Sequence, residues 1–287
     1  MLKPTGLERT TVRAAFNNRL APDEHADFLF REVERRMLER LDLIKLQPVV
    51  RVLDLGCGFG QSLATLAARF PGALMIGADL ADRSLSVAAG APGSRASVAA
   101  GARRLLSRLG LGSPQPLPAT LPLWLAADAH ALPLAADAID MVWSNLAAHW
   151  FDDPLAAVAE WQRVIRPEGL LMFSAFGVDT LKEVRPADVR GWPAFQDLHD
   201  WGDALSAAGF ADPVMDVERL SLTYQDVDKF RRDVQGLSAM PVAREPDPGE
   251  PLVLSIELVY GHAWCPAVKR RPDGLDVVQF HRARSKL

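Results

Sequence analysis

Two carboxylates and a glycine-rich turn are the residues of this chain whose types and spacing could do chemistry. Asp54 follows the apolar, β-branched run 49–53, and the turn after it contains Gly56, Gly58 and Gly60. Glycine adopts backbone angles closed to other residues, and without a side chain it lets a ligand touch the main chain. A strand, a glycine-rich turn and a helix in succession are typical of a nucleotide-binding corner.

The spacing within this turn argues against a dinucleotide and favours a cationic ligand. A dinucleotide fingerprint would place a third glycine at position 61, where this chain has Gln61. Asp54 would repel a pyrophosphate but would attract a cation, such as the α-amino group of S-adenosylmethionine (SAM). Asp79 ends the apolar run 73–78, and an acidic residue at the end of this second strand accepts hydrogen bonds from ribose hydroxyls. The alternative is that Asp54 caps a helix and that Asp79 is a solvated loop residue.

Two further polar residues follow later strands. Asp128 comes after the short run 123–127 and is placed to accept a hydrogen bond from an adenine amino group, and Asn145 follows the run 138–144. Because the carboxyl ends of parallel strands meet at one edge of a sheet, we expect all these side chains to surround one ligand. The expected cofactor-binding residues are Asp54, Gly56, Gly58, Asp79, Leu80, Asp128, Ala129 and Asn145.

The elements that must position these residues alternate between strand and helix. Apolar runs predict strands at 49–54, 73–80, 123–127, 138–144 and 170–175, and helices at 61–70, 81–89, 154–164 and 197–209. Two late strands, 211–224 and 252–264, flank a helix near 227–237 and fit an antiparallel pair at the sheet edge. The predicted fold class is α/β, a doubly wound, seven-stranded, mainly parallel sheet with an antiparallel edge strand.

Three segments lie outside this alternation. Residues 1–48 are predicted to be loose over 1–22 and then to form an amphipathic helix, which either forms one wall of the substrate pocket or only covers the core. The SAM-binding domain, 49–264, carries a basic, proline-rich insertion at 90–122, and residues 265–287 form a basic tail. Within the domain, Asp140 is expected to be a solvent-facing turn residue. Residues 166–169 are expected to break the preceding helix, and a short helix is expected after 176–181.

Composition limits the classes of function. The chain has 287 residues, 49% hydrophobic and 24% charged, as is ordinary for a soluble globular protein, and its net charge of −4 disfavours non-specific nucleic-acid binding. Two cysteines cannot build a disulfide framework, and no metal-ligand spacing is present. The N-terminus lacks the apolar core of a signal peptide, and no apolar run is long enough for a membrane span. We therefore expect a cytoplasmic protein without a metal.

The order of these motifs resembles that of a known family. VLDLGCGFG, the acidic Asp79, ADAHALPL and RPEGLLMFS resemble the motifs of class I SAM-dependent methyltransferases, which have a Rossmann-like fold, over about residues 28–264. WSNLAAHWFDDP and FSAFGVDTLKEVR look like the malonyl-acyl-carrier-protein O-methyltransferase (BioC) family of biotin synthesis. DLHDWGDALSAAGFADPVMDVERLSLTY and VYGHAW resemble its proteobacterial members.

The resemblance implies an activity and a partner. The family methylates the free carboxylate of a malonyl thioester on acyl carrier protein. A carboxylate is ionised at neutral pH, so the reaction needs no general base and depends on alignment and desolvation. His149 and Trp150 are the expected acceptor-pocket residues, although His149 also suits a surface histidine and Trp150 a core residue. Arg185 or His262 could hold the acceptor carboxylate. An acidic carrier protein needs a basic docking surface, for which the candidates are Arg103, Arg104, Arg108, Arg231 and Arg232.

Two departures from the family pattern leave alternatives open. The insertion at 90–122 is longer than the usual connection, and the N-terminal segment lacks an expected tyrosine, for which Phe16 and His25 are the nearest candidates. The alternatives are a class I methyltransferase with another small-molecule acceptor, and a SAM-fold hydroxylase or assembly factor like the mitochondrial relatives. The sequence does not determine the oligomeric state.

Overall fold

The computed structural model describes residues 2, 7–18, 24–90, 121–186, 192–193, 195–238, 244 and 249–268. The strands are β1 (Arg51–Leu55), β2 (Leu74–Asp79), β3 (Leu123–Ala126), β4 (Ile139–Ser144), β5 (Ile165–Phe176), β6 (Ala211–Tyr224) and β7 (Leu252–Trp264). The helices are α1 (Arg9–Asn17), α2 (Glu24–Asp42), α3 (Gln61–Arg69), α4 (Asp82–Gly90), α5 (Pro154–Val164), α6 (Leu198–Ala207) and α7 (Val227–Ser238). Ala148–Trp150 form a single 3-10 turn.

The strands form one seven-stranded sheet in the order β3-β2-β1-β4-β5-β7-β6. Strands β1 to β5 run parallel, and β7 is antiparallel to both of its neighbours, β5 and β6. The fold class predicted from the sequence is therefore confirmed. The strand order reverses between β1 and β4, and ligands of open α/β sheets bind outside the carboxyl ends of the strands at such a switch point.

Helices cover both faces of the sheet, which explains why its central strands are apolar throughout. On one face, α2, α3 and α7 contribute Leu29, Val33, Met37, Leu41, Leu63, Leu66, Phe230 and Val234 to a buried core. On the other face, α5 and α6 contribute Val158, Trp161, Trp201 and Leu205. Every residue of β4 is buried. A strand buried on both faces carries a nearly continuous apolar run, and this is the signal that predicted it.

Several helix and strand boundaries were predicted correctly from residues at the ends of these elements. Helix α5 begins at Pro154. The preceding residue, Asp153, caps it, because its side chain accepts a hydrogen bond from the Ala156 amide at 3.0 Å. Helix α6 ends just before Gly209, whose φ of 90° favours glycine. The late strands β6 and β7 span the predicted residues and pair with each other in antiparallel register.

Other local predictions were wrong because tertiary contacts override them. Helix α5 ends at Val164, before residues 166–169, as predicted, but β5 begins at Ile165 rather than at Leu170. Residues 166–169 therefore lie within β5, where the pairing with β4 is irregular and Glu168 has a φ of 61°. Residues 177–184 form turns rather than a short helix. The N-terminal segment, predicted to be loose, contains helix α1. Most of the insertion, 91–120, and most of the tail, 269–287, lie outside the described residues, as do Arg103, Arg104 and Arg108.

Asp140 is not a solvent-facing turn residue. It lies in β4 with 3% of its side chain exposed, forms an ion pair with Arg166, and accepts a hydrogen bond from the Val50 amide at 3.1 Å. Arg51 approaches it at 3.7 Å. A buried carboxylate must be paired to remain charged, and here it joins the N-terminal ends of β1, β4 and β5.

Removing this carboxylate should destabilise the fold. Asp140→Ala removes the counter-charge of Arg166 and the acceptor of the Val50 amide, so we expect the free energy of unfolding to fall by about 3 kcal/mol in urea titrations. The control is Asp42→Ala, which breaks the exposed Arg69–Asp42 pair and should cost less than about 1 kcal/mol. Equal losses in the two variants would contradict a structural role for Asp140.

None of the helices in the described part of the chain is long and apolar enough to cross a membrane. Within those same residues, no group of histidine, cysteine and acidic side chains has the geometry of a metal site.

Candidate functional site

A cavity opens at the carboxyl ends of β1, β2 and β4 and is roofed by α1 and α2. All eight residues that the sequence predicted to bind a cofactor line this one cavity, and Trp150 lines it with them. The roof contributes residues that the sequence did not assign to the site: Arg9, Val12, Arg13, Asp27, Phe30, Arg31 and Glu34.

The glycine turn after β1 provides open main chain at the floor of the cavity. Gly56, Gly58 and Gly60 have φ values of 74°, 52° and 74°, which L-residues rarely adopt. A Cβ atom at Gly56 would lie 2.3 Å from the Cβ of Ala147, and one at Gly60 would lie 2.3 Å from the Trp124 ring. A Cβ at Gly58 would meet no atom within 4 Å. The first and third glycines are therefore required by packing, whereas Gly58 leaves space that a ligand can fill.

Asp79 fixes the shape of this turn. Its two carboxylate oxygens accept hydrogen bonds from the amides of Gly58 at 2.8 Å and Ala81 at 2.7 Å. Burial raises the pKa of Asp79, and these amide donors oppose that rise. The side chain thus connects the end of β2 to the turn after β1, and its remaining lone pairs can accept hydrogen bonds from a vicinal diol.

Asp54 lies at the base of the cavity with 2% of the residue exposed. No hydrogen-bond donor of the described residues reaches its carboxylate. Burial raises the pKa of Asp54 well above its usual value, and the negative charges of Glu34 and Asp79 raise it further. An unpaired carboxylate in this position is a site for a cation.

Asp128 and Asn145 already have partners within the protein. Asp128 accepts a hydrogen bond from the His130 amide at 2.9 Å and pairs with Arg9. Burial raises its pKa, but the contacts with His130 and Arg9 outweigh burial and lower it. The Asn145 amide donates to the carbonyl of Phe30 at 3.0 Å and accepts from the Ser174 hydroxyl at 3.0 Å. Asn145 therefore attaches α2 to the end of β4.

His149 does not line the cavity and is not a surface histidine. It is buried among the rings of Trp150, Phe176 and Phe195, with ring centroids 4.6–5.7 Å apart. Its Nδ1 accepts a long hydrogen bond, 3.4 Å, from the Phe176 amide, and burial lowers its pKa to about 3. A neutral imidazole in this position supports Trp150 from behind. Trp150 itself faces the cavity and packs edge-on against Phe16 at 5.0 Å.

The two residues expected to hold the acceptor carboxylate, Arg185 and His262, do not line the cavity. Arg185 donates to the carbonyl of Val178 and stacks over Phe195, and His262 lies on β7. The cationic side chains that line the cavity are Arg9, Arg13 and Arg31. Phe16 lies at the roof, whereas the side chain of His25 lies outside the described residues.

Helix α1 was difficult to predict from the sequence, because it is short and polar and buries only Val12. Its position depends on ion pairs with distant residues: Arg9 with Asp128 and Asp152, and Arg13 with Asp82. The only local signal was the spacing of four between Val12 and Phe16, which places both on one helical face.

The chemistry of this cavity fits SAM. The unpaired Asp54 suits the ammonium group, the open main chain at Gly58 suits the methionine portion, and Asp79 suits the ribose hydroxyls. Fold and site together define a SAM-dependent class I methyltransferase.

Comparisons with known proteins agree with this class. Residues 53–173 match the family model described as a methyltransferase domain. The chain is 39% identical over 302 residues to the malonyl-[acyl-carrier protein] O-methyltransferase of Laribacter hongkongensis (strain HLHK9), covering 96% of each chain. Identity to the enzyme of the same name from Methylovorus sp. (strain MP688) is also 39%, covering 96% of this chain and 95% of that one. The chain belongs to the malonyl-[acyl-carrier protein] O-methyltransferase family.

Solved structures show the same fold at lower similarity. The YcgJ protein from Bacillus subtilis superposes with a TM-score of 0.54 at 17% identity, covering 81% of this chain and 98% of that chain. Identity this low supports the fold alone.

Asp79→Asn should weaken SAM binding. An amide has one acceptor oxygen rather than two, so the variant cannot hold both the Gly58 and Ala81 amides and also accept from the ribose. We expect the dissociation constant for SAM, measured by calorimetry, to rise at least about tenfold. The matched control is the exposed Asp228→Asn, which should leave the affinity unchanged; unchanged affinity in Asp79→Asn would show that the ribose is held elsewhere.

The depressed pKa of His149 predicts a pH dependence of stability. Between pH 6.5 and about 3 the unfolded chain binds a proton that the folded chain does not, so stability is complete above pH 6.5 and is lost as the pH falls below it. In His149→Phe, the loss of unfolding free energy between pH 7.5 and 4.5 should be smaller than in the wild type by about 3 kcal/mol. Parallel pH profiles for the two proteins would mean that His149 is protonated or solvated in the folded state.

Proposed function

We propose that this enzyme transfers a methyl group from SAM to the free carboxylate of a malonyl group carried on acyl carrier protein, in the synthesis of biotin. Full-length similarity to the two enzymes that bear this name carries the proposal, because it extends beyond the SAM-binding strands to α1 and α2. These helices roof the cavity on the side from which an acceptor would reach the methyl group.

The residues of the cavity support a reaction without a general base. Bound SAM supplies an electrophilic methyl group on a positively charged sulfur. The acceptor carboxylate is ionised at neutral pH and is already a nucleophile. In agreement, His149 is buried, neutral and outside the cavity lining, and His130, which does line the cavity, is hydrogen-bonded to the Asp128 carboxylate. The tasks left to the protein are to orient the two reactants and to exclude water.

The roof is suited to both tasks. Val12, Phe16 and Trp150 form a small apolar cluster over the cavity, and with Phe30 they give it an apolar wall. An apolar wall removes water from the acceptor carboxylate and increases its reactivity toward the methyl group. Arg9, Arg13 and Arg31 also line the cavity. Each is paired with an aspartate, and each guanidinium is a candidate to bind the anionic acceptor in place of that partner.

The decisive experiment uses acyl carrier protein loaded with malonate and SAM labelled in its methyl group. We expect the label to appear as a base-labile methyl ester, with a mass gain of one methylene on the carrier protein. Carrier protein loaded with acetate is the matched control, because it has the same thioester but lacks the free carboxylate, and it should remain unlabelled.

Three outcomes would contradict the proposal. Absence of label on the malonyl thioester would show that it is not the methyl acceptor. Label on the acetyl thioester would show that the methyl group is transferred to an atom other than a malonyl carboxylate oxygen. A gain of one oxygen would indicate a hydroxylase. Complementation of a biotin-requiring strain that lacks its own methyltransferase provides an independent measurement of the same activity.

A further inference from the structure

Glu34 is an ionisable residue of the cavity that takes no part in the methyl transfer itself. It lies on α2, one turn after Phe30, and lines the cavity beside Asp54. Hydrogen bonds from the hydroxyls of Thr65 and Ser62 stabilise its carboxylate. Its Oε1 is nevertheless buried and has no hydrogen-bond partner among the described residues. A buried acceptor without a partner destabilises the protein, and more so when it is charged.

The charges around Glu34 do not balance in the structure without a ligand. Burial and Asp27 raise its pKa, and Arg31 opposes them only weakly because its guanidinium is paired with Asp27 and is 75% exposed. Glu34 in turn raises the pKa of Asp54, after burial the largest contribution. The buried carboxylate of Asp54 and the half-buried carboxylate of Glu34 thus line the same cavity, and neither forms an ion pair with a cation of the described residues.

We propose that Glu34 binds the cofactor together with Asp54, and that this pair of carboxylates distinguishes SAM from its demethylated product. SAM carries two positive charges, on the ammonium group and on the sulfonium, and the two carboxylates equal them in number and are opposite in sign. S-adenosylhomocysteine retains the ammonium group but has a neutral sulfur. With the product bound, one of the two carboxylates lacks a counter-charge.

The charge change follows from the atoms that move. Methyl transfer breaks one S–C bond, whose electron pair stays on sulfur, and forms one O–C bond to the acceptor carboxylate. The sulfonium becomes a neutral thioether, the carboxylate becomes a neutral ester, and no proton is transferred. Because the positive charge beside Glu34 and Asp54 disappears in this step, the product should bind more weakly than SAM and leave the cavity.

This assignment rests on SAM as the cofactor but is independent of the acceptor. It can therefore be tested by binding alone, without carrier protein. If malonyl-carrier protein proved to be the wrong acceptor, the measurements below would be unaffected.

The experiment compares dissociation constants for SAM and S-adenosylhomocysteine by calorimetry in the wild type, Glu34→Gln and Glu39→Gln. Glutamine keeps the size of Glu34 and one acceptor oxygen for the Thr65 and Ser62 hydroxyls but removes its charge. We expect Glu34→Gln to weaken SAM binding about tenfold and product binding less than about threefold, so that the preference for SAM falls. Glu39 lies on the exposed face of the same helix, paired with Arg35, and its variant should leave both constants within about twofold.

Thermal melting separates ligand binding from a structural role. An unpaired carboxylate beside other negative charges destabilises the protein without a ligand, so Glu34→Gln should melt at a higher temperature than the wild type while gaining less from added SAM. Equal weakening of SAM and product, or no weakening of either, would overturn the proposal. A lower melting temperature or failure to fold would also overturn it, because Glu34 would then support the structure. Glu34→Asp, which keeps the charge, should retain a preference for SAM.

Discussion

The hydrogen bonds from the amides of Gly58 and Ala81 to the Asp79 carboxylate determine the shape of the cofactor site. They hold the turn after β1 against the end of β2, and the carbonyl of Ala78 adds to this connection by accepting from the amides of Gly56 and Cys57 at 2.8 and 3.1 Å. The positive φ angles of the glycines are compatible with this arrangement, and few other residues would be. A buried carboxylate that organises a turn before any ligand arrives provides preorganisation, which lowers the entropic cost of binding.

The sheet and the roof of the cavity are held by different kinds of interaction. The sheet depends on buried apolar residues and on the buried Asp140–Arg166 pair, whose disruption is costly. Helix α2 is held by both kinds of interaction. Four of its side chains are buried in the core, namely Leu29, Val33, Met37 and Leu41. Arg36 and Arg40 form ion pairs with Glu218 of β6. Helix α1 buries only Val12 and relies on partly exposed ion pairs, which contribute about 1 kcal/mol or less each. The buried core therefore positions the cofactor residues, while α1, which buries only Val12, covers part of the cavity.

How far the sequence predicted this structure depended on whether a feature was encoded locally. The glycine turn, the apolar strands and the capped helix α5 follow from residues that are close in the sequence, and they were predicted. The environment of Asp140, the start of β5 and helix α1 were wrongly predicted because they depend on distant partners. These partners are Arg166 for Asp140, the Cys265 main chain for the start of β5, and Asp82, Asp128 and Asp152 for α1. The site shows the same division. The strand-end residues were predicted from motifs. The position of Glu34 in the cavity lining and of His149 in the core depends on the packing of elements that are distant in the sequence.

The ion pairs that attach α1 at the protein surface affect how ligands reach the cavity. Arg9 and Arg13 are about half exposed, so dissolved salt screens their attraction to Asp128, Asp152 and Asp82. Ionic strength should therefore change the attachment of α1 more than it changes the turn that Asp79 holds by hydrogen bonds.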